Sequence, residues 1–463
     1  MLSAPTVATA AGDPLTDEPV IPGVDWATDF QVAPNGDVYV AHHTGLISRY
    51  KRAAGWTTAN PVYDLRPQTI YRFQTTREFD RGLVGITLDS SFATGQRYLY
   101  AIFTRGTTDF VEDAPRGNPN GIRRTGAVVK IAVPASGAAS ASDLTTILGK
   151  DAPADPNSAC KPFTKGEAAA SGETDAAPNG VDVKFEPDEN GNVGTSGTRV
   201  AWFTEANRYP DGDLTTRADG GYDCLPSDSD THGLGAIASA PDGTLFLTNG
   251  DASPYQFVSV ASMRAYNLES LAGKVIHIDR DGRGVPGHPF CPEETDLTRT
   301  CTKIWARGMR NAFRFTLLPS DGGSGNDPVL AVGDVGNGTM ERLTVTHPGQ
   351  NLGWPCWEGT TWNKPFSDPA ASSAVRTGWG GPELTPVGSR TSCERLAAGG
   401  VAGANPTQSA AVTPPSVEYL HEQRDPADRV GYPGAAIVSG AFVTPQAGAD
   451  PAVALPSSMN GSL

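Results

Sequence analysis

The stretch THGLGAIASAPDGTLFLTNGD, Thr231 to Asp251, decides the fold. Apolar and small or polar positions alternate through it, the period of two that marks a β-strand. Pro241-Asp242-Gly243 separates the two runs, and an Asp-Gly pair supplies the positive φ that a tight hairpin turn demands. The same strand–turn–strand unit recurs in FQVAPNGDVYVAHHTGLISRYK (30–51), GLVGITLDSSFATGQRYLYAIFT (82–104) and FRFTLLPSDGGSGNDPVLAVGD (313–334). VDVKFEPDENGN, followed by TRVAWFTE, reads the same way across 181–205. Taking Pro34, Asp89, Pro187, Pro241 and Pro319 as equivalent turns gives an irregular unit of roughly 50 residues with insertions, the signature of radially repeated four-stranded blades. The expected class is therefore all-β, a β-propeller whose alternating strands are half-buried.

The repeat also marks what lies outside it. Residues 1–20 are expected to be a disordered N-terminal segment, and 21–463 a single propeller domain. Two long excursions interrupt it, at about 105–180 and 358–430; the first holds one strand-like piece, AVVKIAVP (127–134). Long loops on one face of a rigid scaffold are where sites sit. The last strand-like piece, AAIVSGAFV (435–443), leads to the expectation of an incomplete last blade.

Composition narrows the function classes. With 36 basic against 51 acidic residues the net charge is −15, which repels phosphate backbones and argues against a nucleic-acid partner. No apolar run reaches the length of a membrane-spanning helix. Gly (53) and Pro (38) make the chain turn-dense, as short strands joined by many loops require. The six cysteines form no CxxC pair, so zinc-ribbon and thioredoxin readings find no support. Cys291 and Cys301 bracket a short loop, Cys356 and Cys393 a longer one, and Cys160 and Cys224 are left over. Three disulfides, and hence a secreted or periplasmic location, are the expectation.

Several residues stand out for chemistry. His232 precedes a Gly-rich strand entrance and follows an acidic run in which Asp228 or Asp230 could orient its ring. Arg310 and Asn311, in IWARGMRNAF (304–313), suit recognition of carboxylates and carbonyl oxygens. Asp334 and Glu341 flank the Gly336-Asn337-Gly338 turn, and such hard oxygen ligands suit calcium. DRDGRG (279–284) lacks the EF-hand spacing and reads as a hairpin turn. His42 and His43 fall on alternate faces of a strand and read as structural.

In order along the chain, RGLVGITLDSSF (81–92), HGLGAIASAPDGTLFLTNGD (232–251), LAGKVIHIDRDG (271–282), GMRN (308–311) and DVGNGTMERLTVTHPGQNLGWP (334–355) resemble the glucose/sorbosone dehydrogenase family of soluble PQQ-dependent aldose dehydrogenases. The resemblance implies a six-bladed propeller, with PQQ over its axis, Ca2+ as a Lewis acid, a sugar substrate and an external electron acceptor. It implies that His232 is the general base, that Arg310, Asn311 and Arg81 lie against the cofactor, and that the carbonyls of Gly336 and Asn337 face the metal. The chain departs from the family pattern at Arg81, Thr231 and Asn337. It has no lysine near 432–443 for a PQQ carboxylate, and the family's later arginines fall beyond Leu463. Two other functions fit the same fold: a non-catalytic carbohydrate- or protein-binding module of a larger secreted protein, and a calcium-dependent hydrolase of the six-bladed lactonase type.

Overall fold

The structure is a computed structural model. It describes residues 20–69, 80–105, 124–149, 183–185, 199–201, 223–227, 231–252, 262–318, 328–363, 412–420 and 436–440, with gaps at 22, 136, 263–264, 267 and 269. The N-terminal segment, most of the two excursions and the end of the chain lie outside the described residues.

Among the described residues four antiparallel sheets of four or five strands follow one another along the chain, with two two-stranded ribbons besides. The first runs β1 (Ala27–Val32), β2 (Val38–His42), β3 (Leu46–Tyr50) and β4 (Ala59–Asp64). The second runs β5 (Leu83–Leu88), β6 (Tyr98–Thr104), β7 (Arg124–Ala132) and β8 (Leu144–Leu148). A short hairpin, β9 (Val183–Phe185) with β10 (Arg199–Ala201), and β11 (Leu225–Ser227), which adds to the start of β7, come next. The third sheet is β12 (Leu234–Ser239), β13 (Leu245–Asn249), β14 (Lys274–Ile278) and β15 (Ile304–Arg307). The fourth is β16 (Arg314–Leu318), β17 (Val329–Asp334), β18 (Met340–Thr346) and β21 (Val417–Leu420), with a small ribbon of β19 (Trp357–Glu358) and β20 (Thr361–Trp362) beside it.

The sheets stack face to face in chain order. Their first strands adjoin, β1 against β5, β5 against β12 and β12 against β16. The repeated turns lead one to expect such all-β stacking of four- to five-stranded antiparallel sheets. Two details differ from the sequence reading. Within 181–205 the described residues form a hairpin, but among the described residues β9 and β10 pair with each other and with no third strand. Sheets two and three pack directly instead, through Val84, Tyr100, Ile102 and Leu148 on one side and Leu234, Leu245, Leu247 and Ile276 on the other. Within 105–180 the strand-like piece 127–134 is β7, and a second strand that the sequence did not suggest, β8, joins it in the second sheet.

The strands of the middle sheets are not half-buried. In β6, Leu99, Ala101 and Phe103 pack into the core shared with the first sheet, while Tyr100 and Ile102 pack into the core shared with the third. In β13, Leu245 and Leu247 face the second sheet and Phe246 faces the fourth. A period of two here separates two cores rather than core from water, which is why YLYAIF carries no polar residue. Each apolar side chain so buried stabilises by about 1.5–3 kcal/mol.

Bonds between loops lock the stack. Arg280, after β14, grips Asp89, after β5, through both carboxylate oxygens at 2.7 and 3.1 Å, and Tyr100 Oη donates to the same carboxylate at 2.9 Å. The 279–284 segment is the hairpin turn expected of it, closed by the Asp279 N–H on the Arg283 carbonyl. The Cys291–Cys301 disulfide is present, and Cys224 and Cys356 are also disulfide-bonded. The expected partners Cys160 and Cys393 lie outside the described residues. His42 bonds the Asp25 carbonyl and Ser48, and His43 the Arg81 carbonyl, so both are structural as expected.

Candidate functional site

The chemistry-bearing residues gather at one end of the adjoining first strands. Asp80 and Arg81 precede β5, Thr231 and His232 precede β12, Arg310 and Asn311 precede β16, and Asp251 follows β13. Because β5, β12 and β16 adjoin, segments far apart in sequence are delivered to a single point.

His232 is buried, 2% exposed, with a left-handed backbone at φ 56°. That conformation is costly for a residue with a Cβ, and such strain tends to be kept where a site needs it. Two contacts over-determine it. Its N–H donates to Asp80 Oδ2 at 2.8 Å, and its carbonyl accepts from the Ala252 N–H at 2.9 Å. Its ring Nδ1 lies 3.0 Å from Asp251 Oδ1. The other Asp251 oxygen accepts from the Trp354 indole N–H at 2.7 Å. With Asp251 ionised, Nδ1 carries the proton and Nε2 is left as the basic nitrogen. Among the described residues Nε2 has no hydrogen-bond partner.

Gly250 makes this closeness possible. A Cβ on it would lie 2.4 Å from the His232 carbonyl oxygen and 2.7 Å from that of Arg310. Only glycine lets the histidine-bearing and arginine-bearing turns meet around the end of β13.

Arg310 and Asn311 do join the site. Asn311 Nδ2 donates to Asp80 Oδ2 at 3.2 Å, so Asp80 ties His232 to Asn311. The Arg310 guanidinium is buried and stands 5.6 Å from the centroid of the Trp354 ring. Arg342 lies 5.9 Å from the same ring and bonds Asp334 Oδ2 at 2.7 Å. Arg310 Nε, Arg342 Nε and Arg342 Nη1 are buried donors without partners. Burial pulls the Arg310 pKa down, although Asp251, Glu358 and Asp334 oppose the shift.

Arg81 is placed differently. Its guanidinium is fully buried and bonds the Ser227 carbonyl at 2.7 Å, joining β5 to β11, and its neighbour Asp80 is the residue that reaches the site. Asp228 and Asp230 lie outside the described residues; the partners of His232 are Asp251 and Asp80.

The turn after β17 is built for its own guanidinium rather than for a metal. Arg310 Nη1 donates to the Gly336 carbonyl at 2.6 Å and Nη2 to Asn337 Oδ1 at 3.3 Å. Asp334 accepts from the Arg310 and Asn311 N–H groups besides Arg342, and Glu341 Oε2 accepts from the Gly336 N–H at 3.1 Å. Burial pushes the Asp334 carboxyl up against the pull of Arg342. Glu358 Oε1 accepts from the N–H groups of Asn337, Gly338, Thr339 and Met340. Burial alone would raise its pKa, but Arg342 and these donors outweigh it and hold it low. A divalent ion on the Gly336 carbonyl would meet a guanidinium within hydrogen-bond distance. No group of three or more acidic, His or Cys side chains among the described residues is arranged to hold a metal. These residues do not fit calcium. They do fit a flat polycarboxylate: two buried arginines with unused N–H donors stand around an indole face.

Sequence reading missed Asp80, Asp251, Arg342, Trp354 and Glu358. Asp251 ends the very stretch that decides the fold, where Asn-Gly-Asp reads as a turn. Nothing local announces that it faces a histidine nineteen residues earlier.

Residues 190–377 match the family model described as Glucose / Sorbosone dehydrogenase. The HIPL1 protein of Arabidopsis thaliana is 29% identical over 163 residues, which are 32% of this chain and 22% of that protein. The HIPL2 protein of the same plant is 30% identical over 155 residues, 30% of this chain and 20% of its own length. The chain thus spans about a fifth of the length of these curated relatives. Among solved structures, the PQQ-bound aldose sugar dehydrogenase of Streptomyces coelicolor superposes with a TM-score of 0.42 at 18% identity, covering 74% of this chain and 66% of that one. The apo form of the soluble aldose sugar dehydrogenase of Escherichia coli gives 0.39 at 14% identity, over 72% of this chain and 63% of that one.

Proposed function

We propose that the chain, whose residues 190–377 match the glucose/sorbosone dehydrogenase family model, is an oxidoreductase that oxidises an aldose or a related sugar with PQQ as cofactor. The observation that carries the reading is the buried His232–Asp251 pair, held against Arg310 and Trp354. PQQ, when bound, supplies the two-electron acceptor that a sugar hydroxyl needs and that no amino-acid side chain provides. Arg310 and Arg342 would hold its carboxylates, with Trp354 and Asn311 beside them.

The chain's own residues supply the acid–base half. His232 Nε2 would take the proton from the sugar hydroxyl oxygen while the carbon bearing that hydroxyl gives up its hydride to the two-electron acceptor, leaving a carbonyl. Asp251 keeps Nδ1 protonated, fixes the ring and stabilises the imidazolium that forms. Trp354 and Asp80 fix the carboxylate and the histidine backbone in turn, so little reorganisation is needed when the charge appears. Calcium has no part in this reading. We place the protein in a six-bladed propeller and, from its disulfides, in a secreted or periplasmic setting, with an external electron acceptor.

The test is to reconstitute the full chain with PQQ, measure binding by quenching of tryptophan fluorescence, and follow dye reduction with a panel of aldoses. Binding with sugar-dependent reduction that His232→Ala abolishes supports the reading. No PQQ binding overturns it and favours a carbohydrate- or protein-binding module, which the burial of His232 and the internal bonds of Arg310 and Asn311 would suit. Lactone hydrolysis without PQQ would instead mark a hydrolase.

A further inference from the structure

A second set of unused donors lies apart from the histidine site, beneath the turn that carries Trp354. Arg307, the last residue of β15, is fully buried. Its main chain pairs with the 350–352 segment, N–H to the Gln350 carbonyl at 3.1 Å and carbonyl to the Leu352 N–H at 2.9 Å, which sets Arg307 and Asn351 opposite each other in a parallel bridge. Residues so paired project their side chains to the same face of the sheet.

The guanidinium is under-satisfied. Nη1 donates to the Tyr266 carbonyl at 3.1 Å, while Nε and Nη2 are buried without partners. The adjacent Asn351 is also buried. Its Oδ1 accepts from the Gly353 N–H at 3.0 Å, and its Nδ2 faces the Tyr266 hydroxyl without closing a hydrogen bond to it. The residue opposite Arg307 on β14 is Lys274, whose ammonium bonds the carbonyls of Ala265 and Ala272. No carboxylate is paired with Arg307 among the described residues. Its guanidinium carbon lies instead 5.7 Å from the Tyr266 ring centroid and 5.4 Å from that of Phe290.

An arginine cannot shed its proton in a protein, and an unpaired buried charge costs several kcal/mol. Ring faces offset part of that cost but leave the N–H donors unmade. A water would meet the donors and leave the charge. An anion meets both. The groups around the guanidinium are N–H donors and aromatic carbon.

From this we infer that Arg307 and Asn351 form an internal site for a monovalent anion of halide size, bound by Arg307 Nε and Nη2 and by Asn351 Nδ2. The anion is structural. It neutralises the third sheet where the sheet meets the 349–354 turn, whose Gly353 carbonyl is held by Tyr266 Oη at 2.6 Å. It is independent of whether the chain oxidises a sugar.

The test is thermal melting of the full chain in gluconate, with chloride or bromide replacing gluconate at constant ionic strength. The expected result is a saturable rise in melting temperature with either halide, absent in Arg307→Met. Crystals of the wild type grown in bromide should show an anomalous peak within hydrogen-bond distance of Arg307, a readout that stands if the variant fails to fold. Equal melting in gluconate and halide, an equal rise in wild type and variant, or bromide crystals with no peak beside Arg307 would overturn the site.

Discussion

Asp251 holds His232 through one carboxylate oxygen, at 3.0 Å from the ring Nδ1, and the two residues flank the open end of the same hairpin. The pairing of β12 with β13 brings Leu234 opposite Asn249, so the residues just outside that pair meet. The register of one hairpin therefore creates the contact on which the acid–base reading depends.

If that reading holds, Asp251→Asn lowers sugar-dependent turnover by about 10²–10⁴-fold, since an amide neither fixes the tautomer nor stabilises an imidazolium. Steady-state dye reduction by the PQQ-reconstituted chain checks this. Turnover equal to wild type would remove Asp251 from the mechanism.

Gly250 lets the two site-bearing turns touch, and Gly250→Ala should force them apart. We expect a destabilisation of about 1–3 kcal/mol, read as a lowered urea midpoint, together with weakened PQQ binding. An unchanged midpoint would contradict the close approach of the His232 and Arg310 carbonyls.

Arg310 already occupies the Gly336 carbonyl, so calcium should leave the 334–341 turn untouched. Melting curves with calcium and with chelator are expected to coincide. A calcium-induced rise that Asn337→Ala abolishes would show that a metal displaces the guanidinium.

Acid should weaken the fold in two steps. Burial pushes His277 from its ordinary 6.5 down to about 4, and its ring stacks on Phe246 at 4.0 Å. The folded state therefore keeps it neutral where the unfolded chain binds a proton. Stability is full above pH 6.5 and falls by about 3 kcal/mol as pH drops towards 4. Burial raises the Asp89 carboxyl, but bonds from Arg280, Ser91 and Tyr100 outweigh it and hold it well below the usual range. Its contribution is present above the unfolded carboxylate pKa and is lost as pH falls further. In urea titrations across pH, His277→Phe should flatten the first fall and Asp89→Asn the second. A first fall of the same size in His277→Phe would refute its origin.

Much of this protein was legible in its residues. The Pro-Asp-Gly and Pro-Asn-Gly turns between alternating runs announce the hairpins because turn geometry and the two-residue pleat are local properties. His232, Arg310 and Asn311 were recognisable by type and setting. What the residues could not show is which hairpins become blades. VDVKFEP and the strands of the larger sheets carry the same pattern, and it is the tertiary packing, among the described residues, that sets β5 on β12 and leaves β9 and β10 paired with each other.

The same division runs through the site. Strands, turns and the residue types capable of acid–base chemistry follow from sequence, since each depends on neighbours a few positions away. The partner of each charge follows from tertiary structure alone. Asp251 takes His232 and Trp354, Asp80 joins His232 to Asn311, and Arg310 rather than calcium takes the Gly336 carbonyl. These choices are made across sheets, where a few ångströms of strand placement determine whether an oxygen meets a metal or a guanidinium.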